Sequence, residues 1–379
     1  MPTPRENLLA LFAGEAGSWI PCCPHISNAN NLPETVPEAL LREPLDFLEI
    51  SRFVGGDLLV EVGGVCGRHA DDTLRQTAEQ DGEDTVFTLE TAVGTLHWRR
   101  RTTAVDAPVS GPLPEGHARP GPLRTPVNTE YPVRSPEDYR VLRHLYAGRR
   151  FVAEGDAAAA ALGRIGEDGV ALVGGGPGSP LYALVHEYVG LEQLIYHLAD
   201  CPEEVEETLA VMEEADARWY EAACRLSPVL IRATDDLDIG LVSPDLFARY
   251  AEPALRRYAG ICAAAGRKLV LHMCGHVRAF LPSLARTGVH AHHCLSSPPV
   301  GDTPIAEGQA AYGRRTVVMA RNDPNVLLSG AEDAVEGMIH GLLADAEPGL
   351  PLLVIMPCGR APLGNIRRAI AATQAFRPA

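Results

Sequence analysis

Residues 268–275 have the sequence KLVLHMCG, and this stretch is the clearest indicator of the fold. A short run of apolar residues is followed at once by histidine, cysteine and glycine. Runs of this kind are typical of parallel strands that are buried on both faces. The stretch therefore predicts a buried strand whose C-terminal end carries side chains capable of chemistry.

Seven further apolar runs resemble this one, and longer amphipathic stretches lie between most of them. Proline and acidic residues after Cys201 and after Ser243 indicate where two of the intervening helices begin. Eight strands alternating with helices predict an α/β fold, the (β/α)8 TIM barrel. The predicted strands are residues 19–24, 57–62, 171–176, 229–236, 268–274, 290–296, 316–322 and 351–358.

The gap between the second and third predicted strands is too long for a single helix. We therefore expect one barrel domain over residues 1–379, with residues 64–150 as an insertion that forms a lid over one end of the barrel. Within it, two β-rich segments in residues 85–101 flank Val93 and Gly94 and predict a β-hairpin. A stretch rich in proline and glycine follows at residues 107–126.

The composition limits the classes of partner. The chain of 379 residues has a formal net charge of −16, which argues against nucleic acid and anionic membranes as main partners. The N-terminal residues lack the pattern of a signal peptide, and no apolar run approaches the roughly 20 residues of a membrane span. These features predict a cytoplasmic protein. Its nine cysteines are then expected to be free, buried, catalytic or bound to metal.

Three residues suggest a metal site. His272 and Cys274 are two positions apart, so on a strand they project from the same face at the C-terminal end, which is the active-site end of a barrel. The last predicted strand brings Cys358 to the same end. One imidazole and two thiolates form a typical zinc set, and three protein ligands leave a fourth position open for a substrate thiol. Alternatively, the two cysteines are small buried residues and His272 is a hydrogen-bonded core histidine.

Other candidates surround this set. Asp235 and Asp236 follow another predicted strand, where one acid could orient the substrate or bind a zinc ligand, or merely cap a loop. Gly175 and Gly176 belong to a glycine-rich segment before a helix, which could allow the backbone to approach a ligand closely; the segment lacks the lysine of a phosphate loop.

Histidines could contribute as well. His25 or Glu61 could supply a fourth, exchangeable zinc ligand. Strict strand alternation would place His290, His292 and Cys294 on one face of their strand and His293 on the other. His293 is a candidate for the cavity lining, whereas a second metal site at this strand is the less favoured interpretation.

Landmarks along nearly the whole chain resemble the uroporphyrinogen decarboxylase superfamily, whose members are (β/α)8 barrels. The branch with His-x-Cys and a late cysteine is similar to the corrinoid-dependent methyltransferases. The landmarks are residues 19–21 (WIP), 53–57 (FVGGD), 91–96 (TAVGTL), 135–139 (SPEDY), 200–203 (DCPE), 235–237 (DDL) with 243–244 (SP), 272–275 (HMCG) and 358–366 (CGRAPLGNI).

This resemblance implies that His272, Cys274 and Cys358 bind zinc. It also implies transfer of a methyl group from methylcobalamin, or from a methyl-corrinoid on a carrier protein, to a thiol such as coenzyme M. Residues 20–28 lack the arginines that bind substrate carboxylates in the decarboxylases themselves. Residues 362–365 (PLGN) depart from the threonine-proline-glutamate-asparagine pattern common in the family, which puts the details of the last loop in doubt.

Several alternatives stay open. The chain could be a decarboxylase-like lyase, a zinc enzyme that alkylates or demethylates with a donor other than a corrinoid, or a protein that senses corrinoid or metal without turnover. The thiol acceptor and the direction of transfer are open as well. Barrels of this kind often form homodimers, so a dimer is a further expectation.

Overall fold

The computed structural model describes residues 1–26, 32–42, 44–105 and 123–376, so that most of the proline- and glycine-rich stretch lies outside it. In chain order, the strands are β1 (Cys22–His25), β2 (Leu58–Val62), β3 (Val65–His69), β4 (Arg75–Asp81), β5 (Asp84–Thr91), β6 (Gly94–Val105), β7 (Leu123–Glu130), β8 (Arg149–Ala153), β9 (Gly169–Gly176), β10 (Leu230–Thr234), β11 (Lys268–His272), β12 (Ala291–Ser296), β13 (Val317–Arg321) and β14 (Leu352–Pro357).

Helices follow most of the strands. They are α1 (Pro4–Phe12), α2 (Phe47–Val54), α3 (Pro136–Gly148), α4 (Gly155–Ile165), α5 (Pro180–Ala183), α6 (Leu191–Asp200), α7 (Pro202–Ala223), α8 (Pro244–Tyr250), α9 (Glu252–Ala264), α10 (Leu281–Thr287), α11 (Ile305–Tyr312), α12 (Pro324–Ser329), α13 (Glu332–Leu343) and α14 (Leu363–Ala375). In the part of the chain that the structure describes, none of them combines the length and the apolar composition needed to cross a bilayer.

Eight parallel strands form the barrel, in the order β1-β14-β13-β12-β11-β10-β9-β2. Between the two ends of this order, the backbone N–H of Asp57 donates to the carbonyl of Cys22 at 2.9 Å. All eight predicted strands are present, each within a few residues of its expected bounds. The fold is therefore the predicted (β/α)8 TIM barrel.

Every second side chain of the barrel strands points inward and fills the barrel interior. One buried apolar cluster takes residues from all eight barrel strands, among them Leu59 of β2, Val270 of β11 and Ile355 of β14. Helix α1 adds Leu8 and Leu11 to the same cluster. Because side chains two apart on a strand share a face, the next alternate residue of each strand also projects inward, nearer the C-terminal end. This geometry determines which side chains meet at the candidate site.

The chain divides into two compact units. The first comprises Met1–Cys66, Phe151–Ser179 and Asp216–Ala379 and contains the barrel. The second comprises Gly67–Arg150 together with Pro180–Ala215. It thus includes, besides most of the predicted insertion, a helical segment from later in the chain. The lid function of the insertion stays a prediction.

The second unit contains an antiparallel sheet in the order β4-β5-β6-β7. Strands β5 and β6 form the predicted hairpin, with Thr91 opposite Gly94 at the turn. Leu89 and Leu96 on these strands pack against Val141 of α3, which gives this unit an apolar core of its own. Strands β3 and β8 pair as a separate two-stranded sheet.

Gly169 in β9 allows β2 and β9 to approach closely. A Cβ atom at this position would lie 2.0 Å from the carbonyl oxygen of Leu58, its partner in the register. Since backbone cannot move aside as a flexible side chain can, Gly169→Ala should lower the free energy of unfolding by about 3 kcal/mol. Chemical denaturation measures this change.

Gly163→Ala is the matched control. A Cβ atom at this glycine of α4 would meet nothing within 4 Å, and alanine favours the helix by about 0.5–1 kcal/mol over glycine. Equal stability of the two alanine variants would contradict the close approach of β2 and β9.

Candidate functional site

Eight positions form a ring at the C-terminal end of the barrel strands. Each lies two residues beyond a member of the interior cluster, so alternation directs it toward the barrel axis. This end carries the active sites of TIM barrels. The ring is formed by His25, Glu61, Gly174, Arg232, His272, His293, Arg321 and Pro357.

His272, Cys274 and Asp236 come together at this end. Their ligand atoms all lie within 4.8 Å of one another, and the Nε2 atom of His272 is 3.4 Å from Oδ1 of Asp236. Burial raises the pKa of the Cys274 thiol to about 11, and the charge of Asp236 acts in the same direction. Although burial opposes it, hydrogen bonds from His272 and Cys274 hold the pKa of Asp236 below its usual value. This carboxylate is therefore ionised at neutral pH.

His293 orients the ring of His272. The Nδ1 atoms of the two rings are 2.7 Å apart, so one of them donates a hydrogen bond to the other. Burial, followed by the charges of His272 and His25, holds the pKa of His293 well below its usual value, which keeps its ring neutral. Such a neutral ring can accept the hydrogen bond, which leaves Nε2 of His272 directed toward Asp236 and available to a metal ion.

Cys294 differs from the prediction based on strand alternation. The register between β12 and β13 shifts between His293 and Leu295, and Cys294 has a φ angle of 70°. This bulge turns Cys294 into the interior cluster, and its sulfur forms a second group with His272 and His293 in which all ligand atoms lie within 4.8 Å. The predicted separation of His293 from Cys294 is therefore wrong, because the bulge interrupts the alternation.

His292 lies in different surroundings from these two residues. Its Nδ1 atom is 2.7 Å from the hydroxyl of Tyr312, and its Nε2 atom is 2.8 Å from the carbonyl of Met273. Both ring nitrogens are thus engaged in hydrogen bonds within the core, and His292 is a buried structural residue.

Cys358 belongs to neither of the two groups within the described residues. It follows the end of β14, is 2% exposed, and its thiol donates to the carbonyl of Met356 at 3.4 Å. Burial and the neighbouring Cys22 raise the pKa of its thiol. Its role as a zinc ligand stays a prediction.

The two adjacent acids have different surroundings. In contrast to Asp236, the buried Asp235 accepts a hydrogen bond at Oδ2 from the backbone N–H of Ser179, at 2.5 Å. Burial raises the pKa of Asp235 to about 7. Asp235 thus ties the segment after β9 to the end of β10, which is the geometry of a loop cap, whereas Asp236 contacts both residues of the predicted zinc pair.

The glycine-rich segment packs mainly against its own barrel. A Cβ atom on Gly174 would collide with the side chain of Glu61, and one on Gly176 would lie 2.4 Å from the carbonyl oxygen of Arg232. At Gly175, which has a φ of 76°, a Cβ atom would meet nothing within 4 Å and would face open space. Of the two predicted binding glycines, Gly175 has the room for a ligand.

His25 and Glu61, the candidate fourth ligands, are both in the ring. The ring of His25 packs edge-on against His293, with centroids 5.7 Å apart, and burial lowers its pKa to about 4. Glu61 forms an ion pair with Arg232 at 2.9 Å. Glu61 could reach a metal ion only by giving up this ion pair, which favours His25 of the two.

Two arginines of the ring were not anticipated from the sequence. Arg232 is paired with Glu61 through Nη2, and the Nε atoms of both arginines are buried and have no hydrogen-bond partner among the described residues. The positive charge of Arg321 lowers the pKa values of Cys274 and Cys294, against the larger effect of burial. Arg232 lies two residues beyond Leu230, and Arg321 lies two residues beyond Met319. Because Leu230 and Met319 face the interior, this spacing is the signal that indicates both arginines.

Comparisons with solved structures agree with the fold. A methyltransferase from Methanosarcina mazei is 15% identical, with 98% of each chain covered and a TM-score of 0.59. A putative fructose-1,6-biphosphate aldolase from Coccidioides immitis is 13% identical over 43% of this chain and 61% of its own, and its TM-score of 0.24 is too low to carry an argument. At such identities the similarity concerns the fold alone.

Comparisons at the level of sequence give the family. No curated protein matches the chain. Residues 119–374, more than half of the sequence, match the model of the family described as uroporphyrinogen decarboxylase (URO-D). The match covers β9 to β14 and includes Asp236, His272, Cys274 and His293. The chain belongs to the uroporphyrinogen decarboxylase family.

Proposed function

We propose that this protein is a zinc-dependent methyltransferase that moves a methyl group from a methyl-corrinoid to a thiol. The observation that carries the proposal is the group of Asp236, His272 and Cys274, whose ligand atoms lie within 4.8 Å at the active-site end of the barrel. The M. mazei methyltransferase, which shares the fold over nearly the whole chain, supports the reaction class.

The donor set fits zinc. Imidazole nitrogen, thiolate sulfur and carboxylate oxygen are the atoms that zinc prefers in proteins, and a site with three protein ligands keeps one position for a substrate. In this proposal His272 and Cys274 bind the ion with a second sulfur, for which the sequence predicts Cys358. When bound, zinc would supply positive charge that keeps a substrate thiol deprotonated at neutral pH and holds its sulfur in place.

The protein's own side chains prepare the ligands. The Cys274 thiol is hydrogen-bonded to the ionised Asp236, which can therefore accept the proton that Cys274 loses on binding metal. His293 holds the ring of His272 through the 2.7 Å contact between their Nδ1 atoms. Without this contact the ring could rotate, and Nε2 would no longer be directed at the ion.

The reaction itself is a displacement at carbon. The thiolate sulfur attacks the methyl carbon of the corrinoid in line with the cobalt–carbon bond. A sulfur–carbon bond forms, the cobalt–carbon bond breaks, and its electron pair remains on cobalt. The thiol proton leaves before this step. The donor is free methylcobalamin or a corrinoid presented by a carrier protein.

Metal removal tests the proposal. The purified protein should contain about one zinc per chain, and removing the zinc by chelation should abolish methyl transfer from methylcobalamin to coenzyme M or homocysteine. Readdition of zinc should restore the rate, since the apo fold keeps His272 and Cys274 in place. Zinc content by mass spectrometry and loss of methylcobalamin absorbance measure the two quantities.

The control is a second methyl donor. S-adenosylmethionine in place of methylcobalamin should give no transfer, because its methyl group is not attached to cobalt. Full methyl transfer by the metal-free protein would contradict the proposal, and metal-independent release of carbon dioxide from uroporphyrinogen would identify the decarboxylase alternative.

A further inference from the structure

We propose that Cys294 is the second sulfur ligand of the metal, together with His272 and Cys274. This inference rests on the proposed zinc function and changes one of its ligands. The resulting set keeps one imidazole and two thiolates, but takes its second sulfur from β12 rather than from the end of β14.

The first argument is the position of the sulfur. The ligand atoms of His272, His293 and Cys294 lie within 4.8 Å of one another, and His272 is shared with the group that contains Cys274. Cys274 packs against the interior cluster to which Cys294 belongs. Burial raises the pKa of Cys294 to about 12, and Cys274 and Asp236 are close enough for their charges to act on it as well. His272 therefore links the two thiols: each sulfur lies within 4.8 Å of a ligand atom of His272, and binding a common ion would bring the two sulfurs toward each other.

The second argument is the backbone that places the sulfur there. Cys294 is the one residue other than glycine with a positive φ among the residues that the structure describes. A left-handed conformation costs a non-glycine residue about 1–3 kcal/mol and persists where the surroundings require it. Here it accompanies a bulge, and its effect is to turn the thiol from the outer face of β12 into the mouth. Glycine would adopt this φ without steric strain but would supply no sulfur.

The third argument concerns the competing residue. The thiol of Cys358 is bonded to the carbonyl of Met356 and lies close to Cys22. Leu353 and Ile355 of β14 are the residues that face the interior, and Cys358 is an odd number of residues beyond them. Cys358 would therefore have to leave its present contacts to reach His272. The sulfur of Cys294, in contrast, already lies within 4.8 Å of a ligand atom of His272.

The variant Cys294→Gly removes the sulfur while keeping the backbone conformation at this position. Glycine relieves the positive φ and so offsets the loss of a small buried side chain, and the metal-free variant should unfold cooperatively within a few degrees of the wild type. Its zinc affinity, measured by competition with a chromophoric chelator, should fall at least about 100-fold, because changes to the partners of zinc ligands alone cost 10–100-fold. In the cobalt-substituted protein, the sulfur-to-cobalt charge-transfer band should lose about half of its intensity.

Two matched variants make the outcome decisive. Cys274→Ala should lose zinc affinity to a similar extent, and Cys358→Ala should keep both zinc affinity and the cobalt band. If Cys358→Ala loses them while Cys294→Gly does not, the inference is overturned and the zinc function stands. If the wild-type protein binds no zinc, the proposed function fails together with the inference.

Discussion

Replacing His272 by alanine is expected to lower zinc affinity by more than about 100-fold and to reduce thiol methylation to the rate of the metal-free protein. The reason is that His272 belongs to both groups of candidate ligands, one with Cys274 and Asp236 and the other with His293 and Cys294. Its loss therefore removes a ligand from both groups at once. Zinc affinity and methylcobalamin turnover, measured on the same preparation, check the prediction.

His276→Ala is the control for this variant. His276 lies four residues beyond His272, in the segment that follows β11, and its side chain is 57% exposed. It belongs to neither ligand group within the described residues, so its loss should leave zinc content and turnover unchanged. Wild-type zinc affinity in His272→Ala would refute the site, whichever cysteines were involved.

The barrel could be predicted because its signal is local. Each strand is an apolar run of suitable length, and burial on both faces of a parallel sheet requires such runs. The same reasoning correctly directs His272 to the interior, since Val270 two residues earlier is in the interior cluster. The membership of Pro180–Ala215 in the second unit could not be predicted in this way. It depends on contacts distant in sequence, which leave no periodic signal.

The site was only partly predictable because two of its features break the alternation. The bulge at Cys294 adds one residue to β12, and no glycine in that strand indicates it, so alternation predicts the wrong face for the thiol. Cys358 lies just beyond the end of β14, where strand periodicity no longer determines the direction of a side chain. Arg232 and Arg321 obey the alternation, but a charged residue within an apolar run gives no local signal that it faces the barrel axis rather than the surrounding helices.

Loss of the Asp57 carboxylate should destabilise the barrel strongly. It is 1% exposed, and its carboxylate accepts hydrogen bonds from the indole N–H of Trp19 and the backbone N–H of Cys22, each at 3.0 Å. It also accepts one from Gln374 of α14 at 2.9 Å. Asp57→Ala should therefore lower the free energy of unfolding by about 4 kcal/mol, because three donors, among them the buried N–H of Cys22, lose their acceptor. Chemical denaturation measures the loss.

The isosteric variant Asp57→Asn reveals the protonation of this carboxylate. Burial outweighs the three hydrogen bonds and raises the pKa of Asp57 above the ordinary value of 3.8. Between that value and the raised pKa, the folded protein binds more protons than the unfolded chain, so the contribution of Asp57 to stability falls as pH rises. The contribution is complete below 3.8 and is lost as pH passes the folded pKa.

Asparagine does not titrate, so the stability of the wild type relative to Asp57→Asn should decrease from about pH 4 upward and become constant above the folded pKa of Asp57. Urea denaturation of both proteins at a series of pH values measures this difference, in which the other titrating groups largely cancel. A difference that grows with pH would mean that the hydrogen bonds outweigh burial. In that case the Asp57 carboxylate would hold β1, β2 and α14 together mainly in its charged form.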